Sequence, residues 1–334
     1  MVVGALYFRG YLGDGEGPGG IPGPDEPLHL ICAQEFKAVC DALAGDDVTV
    51  EVHEAGETAA ALSGAEPPGA DGWLTLQPWP QIVEEARARR SLDTFPGQPF
   101  VLARSPLVMA AWDDRAGALS RKCGAAPSWS CVGANAGNPW AAVGGERAWG
   151  TVKPGFGDPD VNATGLLVLG QATSDFLGTA AFSTRDFEKP AFQTWLTDLG
   201  RGIPTFGAPG QSPLQQMLQR GRSAFDFVGT TEAEAAPALE RAAPDRRKGL
   251  ELLYPKPTVV AEAVVAPLNA GAEERLQELF EEQGATALAQ GGWRVQGQDR
   301  GPGVPTTPAL PKEANIPSAG VLEALRIRWG EITR

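Results

Sequence analysis

Residues 28–62 decide the fold class, and they have the sequence LHLICAQEFKAVCDALAGDDVTVEVHEAGETAAAL. Leu28 to Cys32 is a short apolar run, and Glu35 to Ala44 has the spacing of a helix. Val48 to His53 alternates as a strand, and Thr58 to Ser63 opens a second helix. Strands that alternate with helices at this spacing are typical of βαβ units and predict a mainly parallel sheet.

The alternation continues along the chain. Gly72 to Leu76 is a third strand, and Pro78 to Arg90 is a helix with proline at its first turn. Phe100 to Ala111 is long and apolar but interrupted at Arg104-Ser105-Pro106, so we predict two joined strands. Gly117 to Gly150 is rich in Gly, Ala, Ser and Trp, which predicts an irregular excursion.

The rest of the sequence predicts a second α/β lobe inserted into the first. Val161 to Leu177 is a predicted helix of this lobe, and Val259 to Pro267 is a strand that should return the chain to the first lobe. We therefore predict an α/β fold of two lobes with a cleft between them. The predicted division is a tether at 1–27, lobe I at 28–105 plus 258–334, and lobe II at 106–257.

Charge supports this division and limits the partners. The chain of 334 residues has 28 basic and 41 acidic side chains, a net charge of −13, which opposes binding to nucleic acid or to an anionic membrane surface. Residues 1–110 have 6 basic and 16 acidic residues, 111–257 have 15 and 15, and 258–334 have 7 and 10. The middle segment is thus neutral between two acidic ones.

The first residues suggest a membrane attachment. Val2 to Phe8 is an apolar stub, and Gly13 to Pro24 is a stretch of Gly, Pro and acidic residues that cannot pack. We interpret them as the end of an anchor followed by a tether. The alternative is an unstructured terminus of a cytosolic protein.

Four cysteines form two local pairs, Cys32 with Cys40 and Cys123 with Cys131. This spacing allows two small disulfide loops, although three pairings are formally possible. A reduced core cysteine is the alternative in each case. A zinc site is disfavoured because neither pair is CxxC and the only histidines, His29 and His53, lie in strand-like runs.

Sequence patterns of the common catalytic sites are missing. There is no GxSxG, no P-loop and no HExxH, and the glycines at 15, 17 and 20 lie in the proline-rich tether rather than after a strand. We therefore expect no enzyme activity, no catalytic residues, no metal site and no cofactor.

Polar residues instead occur where predicted strands end and helices begin, the positions at which free backbone N–H groups bind anions or carbonyl-like oxygens. Ordinary helix capping explains any one of them equally well, and an aromatic residue at such a position is more often core. The candidate ligand-binding residues are Gln34, Glu57, Trp79, Ser105, Asn162, Thr164 and Thr230.

Several stretches resemble the type II extracellular solute-binding proteins of bacterial ABC importers. The similarity is greatest to the molybdate and sulfate branch and its membrane-anchored actinobacterial relatives, in which an N-terminal membrane helix often precedes a sequence like FRGYLG at 8–13. The stretches are VTVEVHEAGETAAAL at 48–62, ADGWLTLQPWP at 70–80, FVLARSPLVMAA at 100–111, NPWAAV at 138–143, DPDVNATGLLVL at 158–169 and ALAQGGWRV at 287–295.

The resemblance implies a monomer on the extracellular face of the cell membrane, where disulfides persist, anchored by an N-terminal helix that precedes residue 1. It implies that the lobes close over a small polar solute, an oxyanion being one candidate, and deliver it to an ABC permease. Gln34 and Glu35 depart from the small residues that oxyanion binders carry after the first strand, so Glu35 or Glu57 either faces away or meets a cation. The alternatives are a cell-surface sensing or interaction module and, less favoured, an enzyme on the same fold.

Overall fold

The computed structural model describes residues 26–206 and 211–333. The predicted anchor remnant and the glycines of the tether lie outside the described residues. Within them the strands are β1 (Leu28–Ala33), β2 (Val48–His53), β3 (Gly72–Leu76), β4 (Phe100–Trp112), β5 (Pro154–Gly155), β6 (Phe227–Thr231), β7 (Leu250–Leu253) and β8 (Val260–Pro267).

The helices flank these strands in the order that the sequence predicts for residues 28–90. They are α1 (Lys37–Leu43), α2 (Ala55–Leu62), α3 (Trp79–Arg89), α4 (Asp113–Cys123), α5 (Trp129–Asn135), α6 (Ala163–Leu177), α7 (Pro190–Gly202), α8 (Pro213–Arg220), α9 (Glu232–Arg241), α10 (Pro244–Arg247), α11 (Ala272–Leu279), α12 (Ala285–Gln290) and α13 (Ala319–Thr333).

The strands form a mixed sheet in the order β2-β1-β3-β8-β4-β6-β5, with β7 also paired to β4. β1 is parallel to both β2 and β3, as the βαβ pattern predicts. β8 is antiparallel to β3 and to β4, and β4 is antiparallel to β6 and β7. The expectation of a mainly parallel sheet was wrong in this respect, because the strands that connect the lobes run against their neighbours.

The long apolar run is one strand rather than two. β4 pairs with β8 through its first part, from Phe100 to Pro106, and with β6 and β7 through its second part, from Leu107 to Trp112. Arg104, Ser105 and Pro106 pair in register with Glu262, Ala261 and Val260, and the one register shift of this pairing lies earlier, between Val101 and Ala103. β4 is therefore common to both lobes of the sheet.

The glycine-rich segment contains helices, which the sequence analysis did not predict. In α4, Asp113 and Asp114 stand in the first turn, Arg121 and Lys122 in the last turn, and Gly124 ends the helix in the left-handed conformation. α5 begins after Ser128, whose hydroxyl accepts a hydrogen bond from the Cys131 backbone N–H. Local capping thus outweighs the unfavourable composition.

Two disulfides join neighbouring elements. Cys32–Cys40 ties the end of β1 to α1, and Cys123–Cys131 ties the end of α4 to α5, each with a sequence separation of 8. These are the local pairs that the spacing favoured. Cys32 and Cys40 are fully buried in the core, whereas Cys131 is only partly buried.

We expect replacement of both Cys123 and Cys131 by alanine to lower the free energy of unfolding by roughly 2–3 kcal/mol, because a loop of this size then regains its freedom in the unfolded chain. Urea unfolding of the oxidised protein measures this. The matched Cys32→Ala, Cys40→Ala protein should lose more, since buried sulfur atoms are removed as well. If the Cys32→Ala, Cys40→Ala protein lost less free energy of unfolding than the Cys123→Ala, Cys131→Ala protein, the described burial of Cys32 and Cys40 would be contradicted.

Candidate functional site

The lobes meet where β4 and β8 cross between them. In this pairing Arg104 lies opposite Glu262, and the Arg104 guanidinium is 3.1 Å from a Glu262 carboxylate oxygen. Arg104 also exchanges backbone hydrogen bonds with Arg294, which follows α12. An ion pair and backbone hydrogen bonds therefore hold this crossing of β4 and β8, which we call the joint.

Ser105 lies in this joint and supports the start of α9. Its side chain is fully buried, and its hydroxyl accepts a hydrogen bond of 2.9 Å from the Ala233 backbone N–H. Thr230 lies nearby on β6, where its hydroxyl donates to the Glu234 carboxylate. Thr231 accepts from the Glu234 backbone N–H as the cap of α9.

A buried ion pair stands beside Ser105. The Arg294 guanidinium donates to both carboxylate oxygens of Glu232, at 2.7 and 2.8 Å, and the Tyr254 hydroxyl donates to one of them at 2.6 Å. Burial, with Glu232 as the hydrogen-bond acceptor, raises the pKa of Tyr254. Glu232 starts α9 and Arg294 follows α12, so the pair joins two elements that are distant in the sequence.

A second contact between distant parts of the chain involves Glu35. Glu35 follows β1 in a 3₁₀ turn, and its Oε1 accepts a hydrogen bond of 2.9 Å from the Thr164 backbone N–H at the start of α6. Its Oε2 is buried and has no hydrogen-bond partner among the described residues. The side-chain carboxylate of a residue that follows β1 thus occupies the N-terminus of α6.

Burial raises the pKa of Glu35 from its usual 4.5 to about 7. The hydrogen bonds from the backbone at Thr164, Glu35 and Ala163 act in the opposite direction, and the nearby Glu54 carboxylate raises the pKa further. The balance indicates that desolvation of this carboxyl outweighs its backbone hydrogen bonds. A perturbed acid in an interlobe position is a candidate functional group.

Asn162 completes the start of α6. Its side-chain oxygen accepts a hydrogen bond of 2.8 Å from the Gly165 backbone N–H, which is the geometry of a helix cap. The side chain of Thr164 is buried, so this residue faces Glu35 through its backbone N–H. Asn162, Thr164 and Glu35 therefore form one cluster, which we call the α6 cluster.

Gly56 makes a further contact between the lobes. Its backbone N–H donates to the Val161 carbonyl at 2.8 Å, and a Cβ built on Gly56 would lie 2.2 Å from the Asp160 carbonyl oxygen. Only glycine permits this approach. Arg326 of α13 holds the same loop through an ion pair of 3.2 Å with Asp160.

The remaining predicted residues occupy different surroundings. Gln34 is half-buried in the turn after β1, and Glu57 is exposed in the first turn of α2. Trp79, at the start of α3, is only 2% exposed, and its indole N–H has no partner among the described residues. The structure therefore separates two groups, Asn162 with Thr164 at α6 and Ser105 with Thr230 at α9.

Sequence reasoning did not select several polar groups of this region. Gln77 directly follows β3 and Gln81 stands one helical turn later, and the side-chain oxygen of each is buried without a partner among the described residues. The position of Gln77 after a buried strand was a usable signal. Nothing in the sequence pointed to the pairing of Glu232 with Arg294, which are 62 residues apart.

Other kinds of site are not found in the described ranges. Residues 26–206 and 211–333 contain no group of three or more His, Cys, Asp or Glu side chains placed to hold a metal ion. No helix in these same ranges has the length and apolarity needed to cross a membrane.

Comparison with known proteins finds relatives by structure alone. No protein family and no curated protein matches the sequence. The periplasmic binding protein AfuA from Actinobacillus pleuropneumoniae, solved with exogenous fructose-6-phosphate, is 12% identical, with a TM-score of 0.59 over 92% of this chain and 97% of that one. The apo ferric ion-binding protein A of Pasteurella haemolytica is also 12% identical, with a TM-score of 0.54 over 92% and 96%.

A third solved structure has the same arrangement. The Trichodesmium protein IdiA (FutA), in complex with iron and citrate, is 12% identical, with a TM-score of 0.52 over 92% of this chain and 97% of that one. At such identities the likeness concerns the fold. The chain has the two-lobed α/β fold of the periplasmic binding proteins of type II, with a cleft between the lobes, as the sequence analysis predicted.

We expect the stability of the protein to depend on pH through Glu35. Since folding raises its pKa from 4.5 to about 7, the folded chain keeps a proton that the unfolded chain releases between these values. The stabilisation from this proton is complete below the Glu35 pKa of the unfolded chain, 4.5, and is lost as the pH rises through the Glu35 pKa of the folded chain, about 7. Relative to Glu35→Gln, wild-type protein should lose up to about 3 kcal/mol from pH 4.5 to pH 8.

Chemical denaturation at a series of pH values measures this difference. Asp175 and Asp226 also have a raised pKa, but both proteins retain them. Their contribution to the pH dependence therefore cancels in the difference between wild type and Glu35→Gln. Parallel pH profiles of the two proteins would show that Glu35 does not titrate as described.

We expect Arg294→Ala to destabilise the protein by about 3–5 kcal/mol, because it leaves the Glu232 carboxylate buried without its charged partner. Arg294→Lys should recover only part of this loss, since an ammonium group cannot reproduce the bidentate contact. Thermal unfolding measures both. The exposed ion pair of Arg328 with Glu331 provides the control, and Arg328→Ala should cost less than about 1 kcal/mol.

Proposed function

We propose that this chain is an extracellular solute-binding protein that captures a small polar solute in the interlobe cleft and delivers it to an ABC importer. The observation that carries the proposal is the α6 cluster, where polar groups of both lobes meet across the cleft. Reversible capture needs no covalent chemistry, so we propose a binding role rather than an enzymatic one.

Closure of the lobes is the proposed mechanism of capture. β4 and β8 are the strands through which the chain passes between the lobes, and small backbone rotations there would move one lobe against the other. The contacts that closure makes are the hydrogen bonds of Glu35 with Thr164 and of Gly56 with Val161. Exclusion of water from this region strengthens each polar contact to a solute.

The neighbours by structure support the proposal through their described roles. AfuA was solved with a sugar phosphate and IdiA (FutA) with iron and citrate, so the fold accommodates chemically different small solutes. Two disulfides suit an oxidising location outside the cytoplasm. Attachment to the cell surface through residues before the described chain, and action as a monomer, are further parts of the proposal.

Thermal unfolding against a panel of solutes tests the capture role. The panel holds oxyanions, amino acids, sugars, polyamines and divalent metals, each at a concentration well above a plausible dissociation constant. A solute at about 100 times its dissociation constant should add roughly 2.7 kcal/mol of stability. If no class stabilises freshly refolded protein, from which any carried-over solute has been removed, the capture role is wrong and an interaction module is favoured.

We expect Gly56→Val to weaken binding of any solute found in that panel by at least about tenfold, because the side chain would collide with the Asp160 carbonyl and hold the lobes apart. Isothermal calorimetry gives the affinity, and small-angle scattering should give a larger radius of gyration for the variant. Gly45→Val is the matched control, since a Cβ there meets no atom within 4 Å. Equal affinities of the two variants would contradict closure at this contact.

A further inference from the structure

The N-terminus of α6 has the features of an anion site. α6 is 15 residues long, and the backbone N–H groups of its first turn together with the helix dipole attract negative charge. The Glu35 carboxylate is held there by the Thr164 N–H at 2.9 Å. The position that a free oxyanion would take at this helix is therefore filled by a side chain of the protein itself.

An oxyanion cannot share this position with Glu35. Above its pKa of about 7 the Glu35 side chain is an anion, and two anions brought together in a buried site repel each other and both lose hydration. The Glu54 carboxylate adds to the negative potential at Glu35. No described Lys or Arg forms an ion pair with Glu35 that could offset this repulsion.

The second oxygen of Glu35 is what a solute would meet. Glu35 Oε2 is buried and accepts no hydrogen bond from the described residues, an arrangement that costs free energy until a donor reaches it. A positively charged nitrogen is the strongest such donor for a carboxylate.

Two more unpartnered oxygens lie at the same edge of the sheet. β1 and β3 are parallel neighbours, with Cys32 opposite Leu74, so the residues after each strand emerge side by side. Glu35 follows β1, and Gln77 follows β3 with Gln81 one helical turn beyond it. The side-chain oxygens of both glutamines are buried without a hydrogen-bond partner among the described residues.

We infer that Glu35 sets the solute class, excluding oxyanions from the N-terminus of α6 and selecting a solute with a cationic nitrogen, which Glu35 Oε2 and the oxygens of Gln77 and Gln81 would accept. The inference rests on the proposed capture function and names its solute class.

Two replacements of Glu35 test the inference in opposite directions. Glu35→Gln keeps the shape and an oxygen for the Thr164 N–H but removes the negative charge. Glu35→Ser removes the carboxylate and frees the helix N-terminus. Glu66→Gln is the matched control, because Glu66 is an exposed acid beyond the end of α2. Putrescine, L-arginine and choline are the cationic probes, and sulfate and phosphate are the anionic ones.

Calorimetric titration at about pH 8.5, above the folded pKa of Glu35, should give the following results with protein whose fold is checked by circular dichroism. Wild type and Glu66→Gln bind at least one cationic probe and neither anion, while Glu35→Gln binds that cation at least about tenfold more weakly. Glu35→Ser loses the cation and gains measurable sulfate or phosphate binding.

Each of the other outcomes contradicts one part of the inference or the proposed capture function. Binding of sulfate or phosphate to wild type at the α6 cluster, judged by its loss in Asn162→Ala, would overturn the exclusion of oxyanions. Wild type that binds a sugar but no cation would overturn the cationic class while leaving solute capture intact. Failure of Glu35→Ser to gain an anion would show that Glu35 does not occupy an anion site. Failure of the whole solute panel, with anion gain in Glu35→Ser, would instead reject the capture function alone.

Discussion

The pairing of β4 with β8 is the constraint on which both lobes depend. β4 is a single strand whose first part belongs to one half of the sheet and whose second part belongs to the other. β8 lies between β3 and β4, so it fixes the first lobe against the strand that starts the second. Every interlobe contact is therefore positioned relative to these two buried strands, and a change in their angle moves all of them together.

Buried charge occurs at two of the contacts between distant parts of the chain. At the joint, Glu232 is satisfied by Arg294 and Tyr254, so the charge is paired and hydrogen-bonded as a buried carboxylate requires. At the α6 cluster, Glu35 has only backbone partners, and one of its oxygens has none. The first arrangement stabilises the fold, whereas the second leaves binding capacity for a solute.

Residues 28–90 were well determined by local pattern. The strands β1 to β3 and the helices between them follow from alternating apolar runs, and the local cysteine pairs follow from their spacing. The segment around α4 and α5 was not, because glycine and tryptophan content suggested irregular structure while capping by Ser128 and Gly124 produced helices. Composition is an average, and a helix end depends on single residues.

The sequence by itself determined the α/β class, the two lobes and the polar residues at the ends of strands, since these depend on periodicity and local capping. Only the tertiary structure decided which polar residues meet. Glu35 and Thr164 are 129 residues apart, and Glu232 and Arg294 are 62 apart. Contacts at such separations depend on how β4 and β8 bring the lobes together, which no local pattern encodes.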